Sequence, residues 1–528
     1  MIRAHLIAQL ARPVTYDLAV IGGGATGLGV ALDAAARGFS VVLVESHDFA
    51  KGTSSRATKL VHGGVRYLAQ GNISLVREAL HERTTLLANA PHLAQPLAFV
   101  MPSYKFWEAP FYGVGLKMYD ALAGKARLGA TEFLNRAQTL ALLPNTKHRG
   151  PKGHLKGGVK YWDGQFDDAR LALALARTAA AQGALLINYC AATALLHEGG
   201  KLVGLQARDQ ETGLTYEVKA DCVVNAAGVW VDQFRMEDGK AIGRDVKAMV
   251  APSQGVHIVV DRSFLPGDHA MLIPKTADGR VLFAVPWLGK TILGTTDTPR
   301  HDLAREPLPF KEEVDFILGE SARYLTKAPG RADIKSIWVG LRPLVKPADD
   351  DGDNTQGLSR EHTVLVSKSG LVTVTGGKWT TYRAMAEDVM DKCFAAKLLP
   401  ARPGAVTTQL RLVGAQAGTG RGAGHRVSDA PGIHLYGSEA PAVLALPGAA
   451  RLLGGGLTEA MVRFAARHEY ARTVEDVLAR RSRLLFLDAA LARSLAPEVA
   501  GLLRLETGVD PALEAFLALC DQYLQLPD

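Results

Sequence analysis

The 528-residue chain is poor in cysteine. It has four, Cys190, Cys222, Cys393 and Cys520, with no C-x-x-C pair and no histidine at metal-ligand spacing. That excludes a disulfide scaffold and a zinc ribbon, and it points to a reduced, cytosol-facing protein with buried free thiols. No apolar run approaches the ~20 residues that span a bilayer, so any membrane contact is expected to be peripheral. The opening stretch, MIRAHLIAQLARPVT, has charged and polar residues breaking its apolar part. It reads as a short extension before the first strand rather than as a signal peptide. Formal net charge is +7 without any long Lys/Arg run. This argues against a nucleic-acid partner and suits an anionic substrate or an anionic membrane surface. No internal repeat is evident, and the length allows two or three domains.

What is present starts at Val20: VIGGGATGLGVALDAAARGFSVVLVES, ending at Ser46. The apolar run Leu18 to Ile21 reads as a buried parallel strand that meets Gly22-x-Gly24-x-x-Gly27. Helical character follows from Leu28 to Arg37, and a second strand runs from Ser40 to Val44 and ends in Glu45. The glycines bring backbone N–H groups against a pyrophosphate at a helix N-terminus, and Glu45 stands where an acid holds a ribose. The stretch itself is equally open to NAD and FAD. Two later segments bear on the choice. Asp221 to Ala226 is a strand ending in Ala227-Gly228. LVTVTGGKWTTYR, from Leu371, is a strand, the Gly376-Gly377 turn, and a helix starting around Lys378 to Thr381. A nucleotide fold whose last strand returns so far down the chain has the layout of an FAD enzyme with an inserted substrate domain, and that helix start faces an anion.

GTSSRATKLVHGGVRYL (Gly52 to Leu68), GTTDT (Gly294 to Thr298), GLRPL (Gly340 to Leu344) and GGKWTTYR (Gly376 to Arg383) resemble the FAD-dependent glycerol-3-phosphate dehydrogenase family. The resemblance runs from Tyr16 to near the C-terminus, and the tail FAARHEYARTVEDVLARRSRLLFLD (Phe464 to Asp488) is similar to the aerobic, respiratory type. It implies FAD as cofactor and hydride transfer from C2 of sn-glycerol 3-phosphate to flavin N5. It also implies a ubiquinone or other membrane quinone as acceptor, at the cytoplasmic face of the membrane. Arg342 is implied as a substrate ligand and Arg360 as a ligand of the substrate phosphate, where planar Arg forks suit a dianion. Arg66 and Tyr67, after His62-Gly63-Gly64, add donors to phosphate or hydroxyl. Lys378, a cation at a helix start, suggests an anion nearby. For the base, His62 is the first choice and His257 the second, and both stay open. Ser54, Ser55, Thr58 and Lys59 are implied contacts of the flavin or its pyrophosphate, with Gly228, Gly376, Gly377 and Thr380 completing the cofactor set. The first loop has Ala25-Thr26 where the family often has Asn, a conservative change for the turn. No added segment marks the oxygen-using oxidases. An oxidase using oxygen and a non-catalytic flavin-binding protein remain the alternatives.

The expected fold class is α/β. A Rossmann-like FAD-binding domain over 15–400 is interleaved with a mixed-sheet substrate domain at roughly 85–165 and 235–350. A linker over 401–432 and an α-helical C-terminal domain over 433–528 follow. A linking helix is expected from Asp167 to about Gly183. In the tail, Asp510-Pro511 is expected as N-cap and N1 of a helix with Leu513, Phe516, Leu517, Cys520 and Leu524 on one face. The tail has no catalytic motif, so capping or homodimer formation is its expected role. Ser103 to Arg127 mixes Lys105, Lys117, Lys125 and Arg127 with Phe106, Trp107, Phe111, Tyr112 and Tyr119, which suits a membrane interface or a helix packed on its own domain.

Overall fold

The computed structural model describes residues 2–64, 72–276, 279–346, 361–415 and 424–528. The apolar run ahead of Gly22 forms β1 (Thr15–Ile21), followed by α1 (Ala25–Ala36) and β2 (Val41–Val44). β1 and β2 lie parallel, and their apolar runs are buried because helices and strands cover both faces. The chain then leaves for a second sheet through β3 (Leu60–Val61), β4 (Ala94–Ser103), α2 (Glu108–Ala123) and β5 (Gly157–Phe166). It returns through α3 (Asp168–Ala181), β6 (Leu185–Ile187) and β7 (Thr215–Asn225). It leaves again through β8 (Val250–Asp261), β9 (Lys290–Gly294) and β10 (Ser336–Val345). It comes back once more through β11 (His362–Val366), β12 (Leu371–Gly376) and α4 (Tyr382–Ala395). The rest is mostly helical and ends in α5 (Leu513–Leu524).

Each return adds a strand to the first sheet, where β12, β7, β1, β2 and β6 run parallel in that order. α1, α3 and α4 pack on it in one core. Cys222 of β7 and Cys393 of α4 meet there as free thiols with their Sγ atoms 3.6 Å apart. In the second sheet, β8 lies antiparallel to both β9 and β10, and β5 pairs with β4 and β3. The tail shares a core with this sheet: Phe99, Trp287 and Trp338 belong to the same cluster as Phe464, Phe486 and Tyr523.

The last helix departs from the expectation. It starts at Leu513, preceded by Ala512 in the left-handed region at φ 56°. Asp510 accepts the Ala512 N–H, and the Pro511 carbonyl is taken by Val474 N–H at 2.9 Å, so both residues belong to a turn tied to the preceding segment. The buried stripe shifts accordingly to Phe516, Leu519, Cys520 and Tyr523, with Leu524 at its rim.

Buried ion pairs join the tail to the cofactor domain. A wide π-type turn at Asp476–Arg481 carries Arg480 and Arg481, and both guanidinium groups bond the buried Asp48 carboxylate that follows β2. Their charges outweigh the cost of burial and hold that carboxyl below its usual range. Arg481→Ala is expected to leave Asp48 buried and half-paired and to destabilise the chain by about 3–5 kcal/mol. Chemical denaturation followed by tryptophan fluorescence checks it, and an unchanged midpoint would contradict it.

Candidate active site

The glycine loop is tied to its surroundings from both sides. At the start of α1, the first-turn N–H groups have no acceptor within the helix. Of these, Ala25 N–H donates to Ser54 Oγ at 2.9 Å. Glu45 Oε2 accepts Gly23 N–H at 2.6 Å, and its Oε1 accepts His47 N–H at 2.8 Å. The carboxylate, expected to hold a ribose, thus lies against the glycine loop. Gly22 has φ 107°, and a Cβ there would stand 2.6 Å from the Ala226 carbonyl oxygen. A Cβ on Gly27 would stand 2.0 Å from the Gly22 oxygen. At Gly228, by contrast, an added Cβ meets nothing within 4 Å, so the space beside the cradle is open. An anion-binding helix start, a carboxylate at the end of β2 and open space at the end of β7 fit a dinucleotide.

Ser54 is where the distant motifs meet. Its hydroxyl serves α1 while its carbonyl accepts Trp379 Nε1–H at 2.9 Å. Gly376 and Gly377, both in the left-handed region, turn the chain from β12 toward Lys378. Thr380 Oγ1 accepts His62 N–H at 3.2 Å, and Thr375 donates to the Gly228 carbonyl at 3.2 Å. Gly22, Gly24, Gly27, Glu45, Ser54, His62, Gly228, Gly376, Gly377, Lys378 and Thr380 are therefore gathered at one end of the parallel sheet.

The second sheet contributes a flat face. The β8–β10 register sets Ser253 opposite Arg342, Gly255 opposite Gly340, and His257 opposite Trp338. Residues two apart along a strand share a face, so Arg342 and His257 flank a floor made of two glycines. A Cβ on Gly340 would stand 2.9 Å from the Arg56 carbonyl oxygen, so residues 52–58 lie directly over this floor. Arg342 is held by the Thr296 carbonyl at 3.0 Å and Thr295 Oγ1 at 3.2 Å, with Asp297 at 3.5 Å. His257 is buried and stacks on Trp338, ring centroids 5.2 Å apart. Its Nε2 lies 2.9 Å from Thr58 Oγ1, and its Nδ1 has no hydrogen-bond partner among the described residues. Burial, helped by the Lys59 and Arg342 charges, pushes this imidazole well below its usual pKa, so it is neutral.

Three expected cofactor contacts, Ser55, Thr58 and Lys59, have other partners, Thr58 meeting His257 as above. Lys59 is fully buried, with Nζ 2.7 Å from Asp168 and 2.8 Å from the Ser55 carbonyl. Ser55 is also buried, and its hydroxyl lies 3.4 Å from the Gly52 carbonyl. Lys59 is the wrong kind of group to reach outward here: the aromatic rings of Trp287, Trp338 and Phe486 surround its ammonium at 5.2–5.4 Å. Arg66, Tyr67 and Arg360 lie outside the described residues. Sequence reasoning passed over Asp168, Trp338 and Arg483, which build the wall behind His257. One signal was available: Arg480, Arg481 and Arg483 precede the apolar run LLFL, and so many cations next to a buried helix demand acids elsewhere.

Gly27→Ala is expected to yield folded protein without bound flavin, because the added methyl drives the loop off the Gly22 carbonyl. Visible absorbance of the purified protein reads this directly; a yellow Gly27→Ala protein with full flavin content would refute the cradle.

Residues 17–383 match the FAD dependent oxidoreductase family, and residues 405–513 match the C-terminal domain of alpha-glycerophosphate oxidase. A mitochondrial glycerol-3-phosphate dehydrogenase of Arabidopsis thaliana is 40% identical, over 91% of this chain and 81% of that protein. The one from Homo sapiens is also 40% identical, over 94% of this chain and 71% of its own length. The crystal structure of a glycerol-3-phosphate dehydrogenase from Bacillus halodurans complexed with FAD superposes with a TM-score of 0.77 at 31% identity, covering 99% of this chain and 98% of that one. L-alpha-glycerophosphate oxidase from Mycoplasma pneumoniae shares the fold, with a TM-score of 0.56 at 18% identity over 76% of this chain and 99% of that one. With its glycine cradle, interleaved sheets and helical tail, this chain belongs to the FAD-dependent glycerol-3-phosphate dehydrogenase family.

Proposed function

We propose that this chain oxidises sn-glycerol 3-phosphate at C2 to dihydroxyacetone phosphate and passes the electrons to a membrane quinone. The observation that carries the reading is the pairing of Arg342 with a neutral, buried His257 across the glycine floor, beneath the 52–58 loop that also braces the cofactor helix. The relatives named for this substrate, which align with nearly the whole chain, support it. Bound FAD supplies the two-electron acceptor for the hydrogen leaving C2. Gly22, Gly24, Gly27, Glu45, Ser54, Gly228, Gly376, Gly377 and Thr380 would hold that cofactor. His257 takes the hydroxyl proton at Nδ1, the ring nitrogen without a partner among the described residues, while Nε2 is fixed by Thr58. His62, half-buried and joined by its backbone to Thr380, stands at the cofactor side of the site. The Arg342 guanidinium presents a rigid fork to the substrate, with Arg66, Tyr67 and Arg360 completing the phosphate set. Lys378 and the helical start at Trp379–Thr381 would supply positive charge to a cofactor that becomes anionic as C2 is oxidised.

Anaerobic addition of glycerol 3-phosphate is expected to bleach the visible flavin absorbance, and an unchanged spectrum would remove the reading. Turnover that releases hydrogen peroxide and ignores added ubiquinone would reassign the acceptor to oxygen. Arg342→Lys is expected to keep its flavin and lose about 10- to 100-fold in kcat/KM, because a point charge replaces a charge-assisted fork contributing about 1.5–3 kcal/mol.

We place the enzyme peripherally on the cytoplasmic face of the inner membrane, docked through α2. This helix has two faces: Leu116, Tyr119 and Ala123 are buried, whereas Phe111 and Val114 are 66% and 60% exposed. Phe106, just before the helix, is 79% exposed. Basic side chains lie on these aromatics, Lys156 over Phe106, Lys105 over Trp107 and Lys117 over Phe133. Exposed rings with cations beside them suit an anionic headgroup layer. No described helix is long and apolar enough to cross a membrane. Phe111→Asp combined with Val114→Asp is expected to release the protein from anionic liposomes in flotation while soluble turnover with an artificial acceptor persists. Undiminished flotation would remove this placement.

A further inference from the structure

We propose that Asp168, Lys59 and Arg483 form a positioning cluster that fixes Thr58 against His257 and supplies a buried positive charge beside the imidazole. The proposal rests on His257 as proton acceptor, and it concerns residues that lie behind the site rather than in it. All three members are inaccessible to solvent. Asp168 is the hub. Its Oδ2 accepts Ala57 N–H at 3.0 Å and Lys59 Nζ–H at 2.7 Å, and its Oδ1 accepts Arg483 Nη2–H at 2.9 Å. The Ser55 carbonyl accepts from both Lys59 Nζ and Arg483 Nη2 at 2.8 Å. Residues 55, 57 and 59 are thus all drawn to the cluster. The two between them reach other partners: Arg56 bonds Glu306 and the Arg305 carbonyl, and Thr58 Oγ1 meets His257 Nε2. The cluster therefore sets where Thr58 stands.

Trp338 connects the cluster to the imidazole a second time. It stacks on His257 with its ring plane 14° away, and the Lys59 ammonium lies 5.2 Å from its ring centroid. The charged groups acting on His257 are Lys59 from the 55–59 segment and Arg342 from β10, both cations; from β9 it meets Gly294. Burial lowers the Lys59 pKa to about 7, with Asp168 opposing the shift, so the ammonium is charged on the acid side of neutrality. There it opposes protonation of His257. Loss of that charge lets the imidazole protonate at higher pH, which removes the proton acceptor.

The test uses the full-length holoenzyme with an artificial acceptor, measuring kcat and KM for glycerol 3-phosphate from pH 5 to 9 beside flavin content. Lys59→Met is expected to retain flavin and KM, lose about tenfold in kcat, and move the acid limb of the kcat profile up by about one pH unit. Lys59→Arg is expected to return the limb to its wild-type position. A lowered kcat with an unmoved limb in Lys59→Met would show a merely structural role and overturn the proposal. Thr58→Val lies outside the ion cluster and keeps the side-chain shape. It is expected to lower kcat without changing KM, and wild-type kcat in this variant also overturns the proposal, whatever the folding of Lys59→Met. His257→Asn separates the two readings. If it leaves kcat intact, the assignment of the proton acceptor fails; if it is impaired while Lys59→Met and Thr58→Val behave as wild type, only the cluster fails.

Discussion

A carboxylate buried away from water must find cations, and Asp48 and Asp168 find theirs in residues 480–483 of the tail. Taking such charges out of solvent is expensive, and their mutual attraction does little more than repay the cost. What the pairs supply is geometry. Asp48 follows Glu45 at the end of β2, and Asp168 heads α3 below the 52–59 segment. Matching both with arginines within four residues of the tail sets the tail, the Glu45 end of the glycine loop and the loop over the glycine floor in a single arrangement. An apolar contact of the same size would tolerate sliding; a fork of N–H groups on a carboxylate does not.

The two sheets meet through that loop. Thr53 donates to the Leu341 carbonyl on β10, Ser54 serves α1 and Trp379, and Thr58 faces His257. One stretch of six residues therefore touches the cofactor helix, the turn after β12 and the glycine-floored face of the second sheet. Glycines are placed where these layers come closest: Gly22 under Ala226, Gly340 under Arg56, Gly27 against Gly22. The floor between Arg342 and His257 is consequently backbone, with side chains only around its edge.

The parallel sheet and its glycine turn were legible in the sequence because their determinants are local. β1, α1 and β2 announce themselves by an apolar run, a glycine spacing and an acid, and β12 with Gly376-Gly377 by the same pattern. The linking helix was legible as well, capped by Asp167 where expected. The partners of Lys59 were not legible. Proximity to flavin motifs suggested a cofactor contact, whereas its partner Asp168 lies 109 residues along the chain, and Arg483, which shares the Ser55 carbonyl with it, lies 428 residues from Ser55. No spacing rule reaches that far. The start of α5 was misplaced for a related reason. Asp510-Pro511 is a good local helix start, but the Pro511 carbonyl is engaged by Val474, and the helix begins after the turn this enforces. The neutrality of His257 likewise depends on burial and on two cations brought from separate strands and loops.

The bond between Arg481 and Asp48 spans 433 residues of chain. Translation produces Arg481 long after Asp48. The first βαβ unit therefore emerges from the ribosome lacking β12, the parallel strand beside β7, and lacking the cations for its buried acid. The contact that joins the glycine loop's neighbourhood to the tail therefore forms only after both segments have been made. The nascent N-terminal half meanwhile carries a sheet edge and an unmatched charge that need protection.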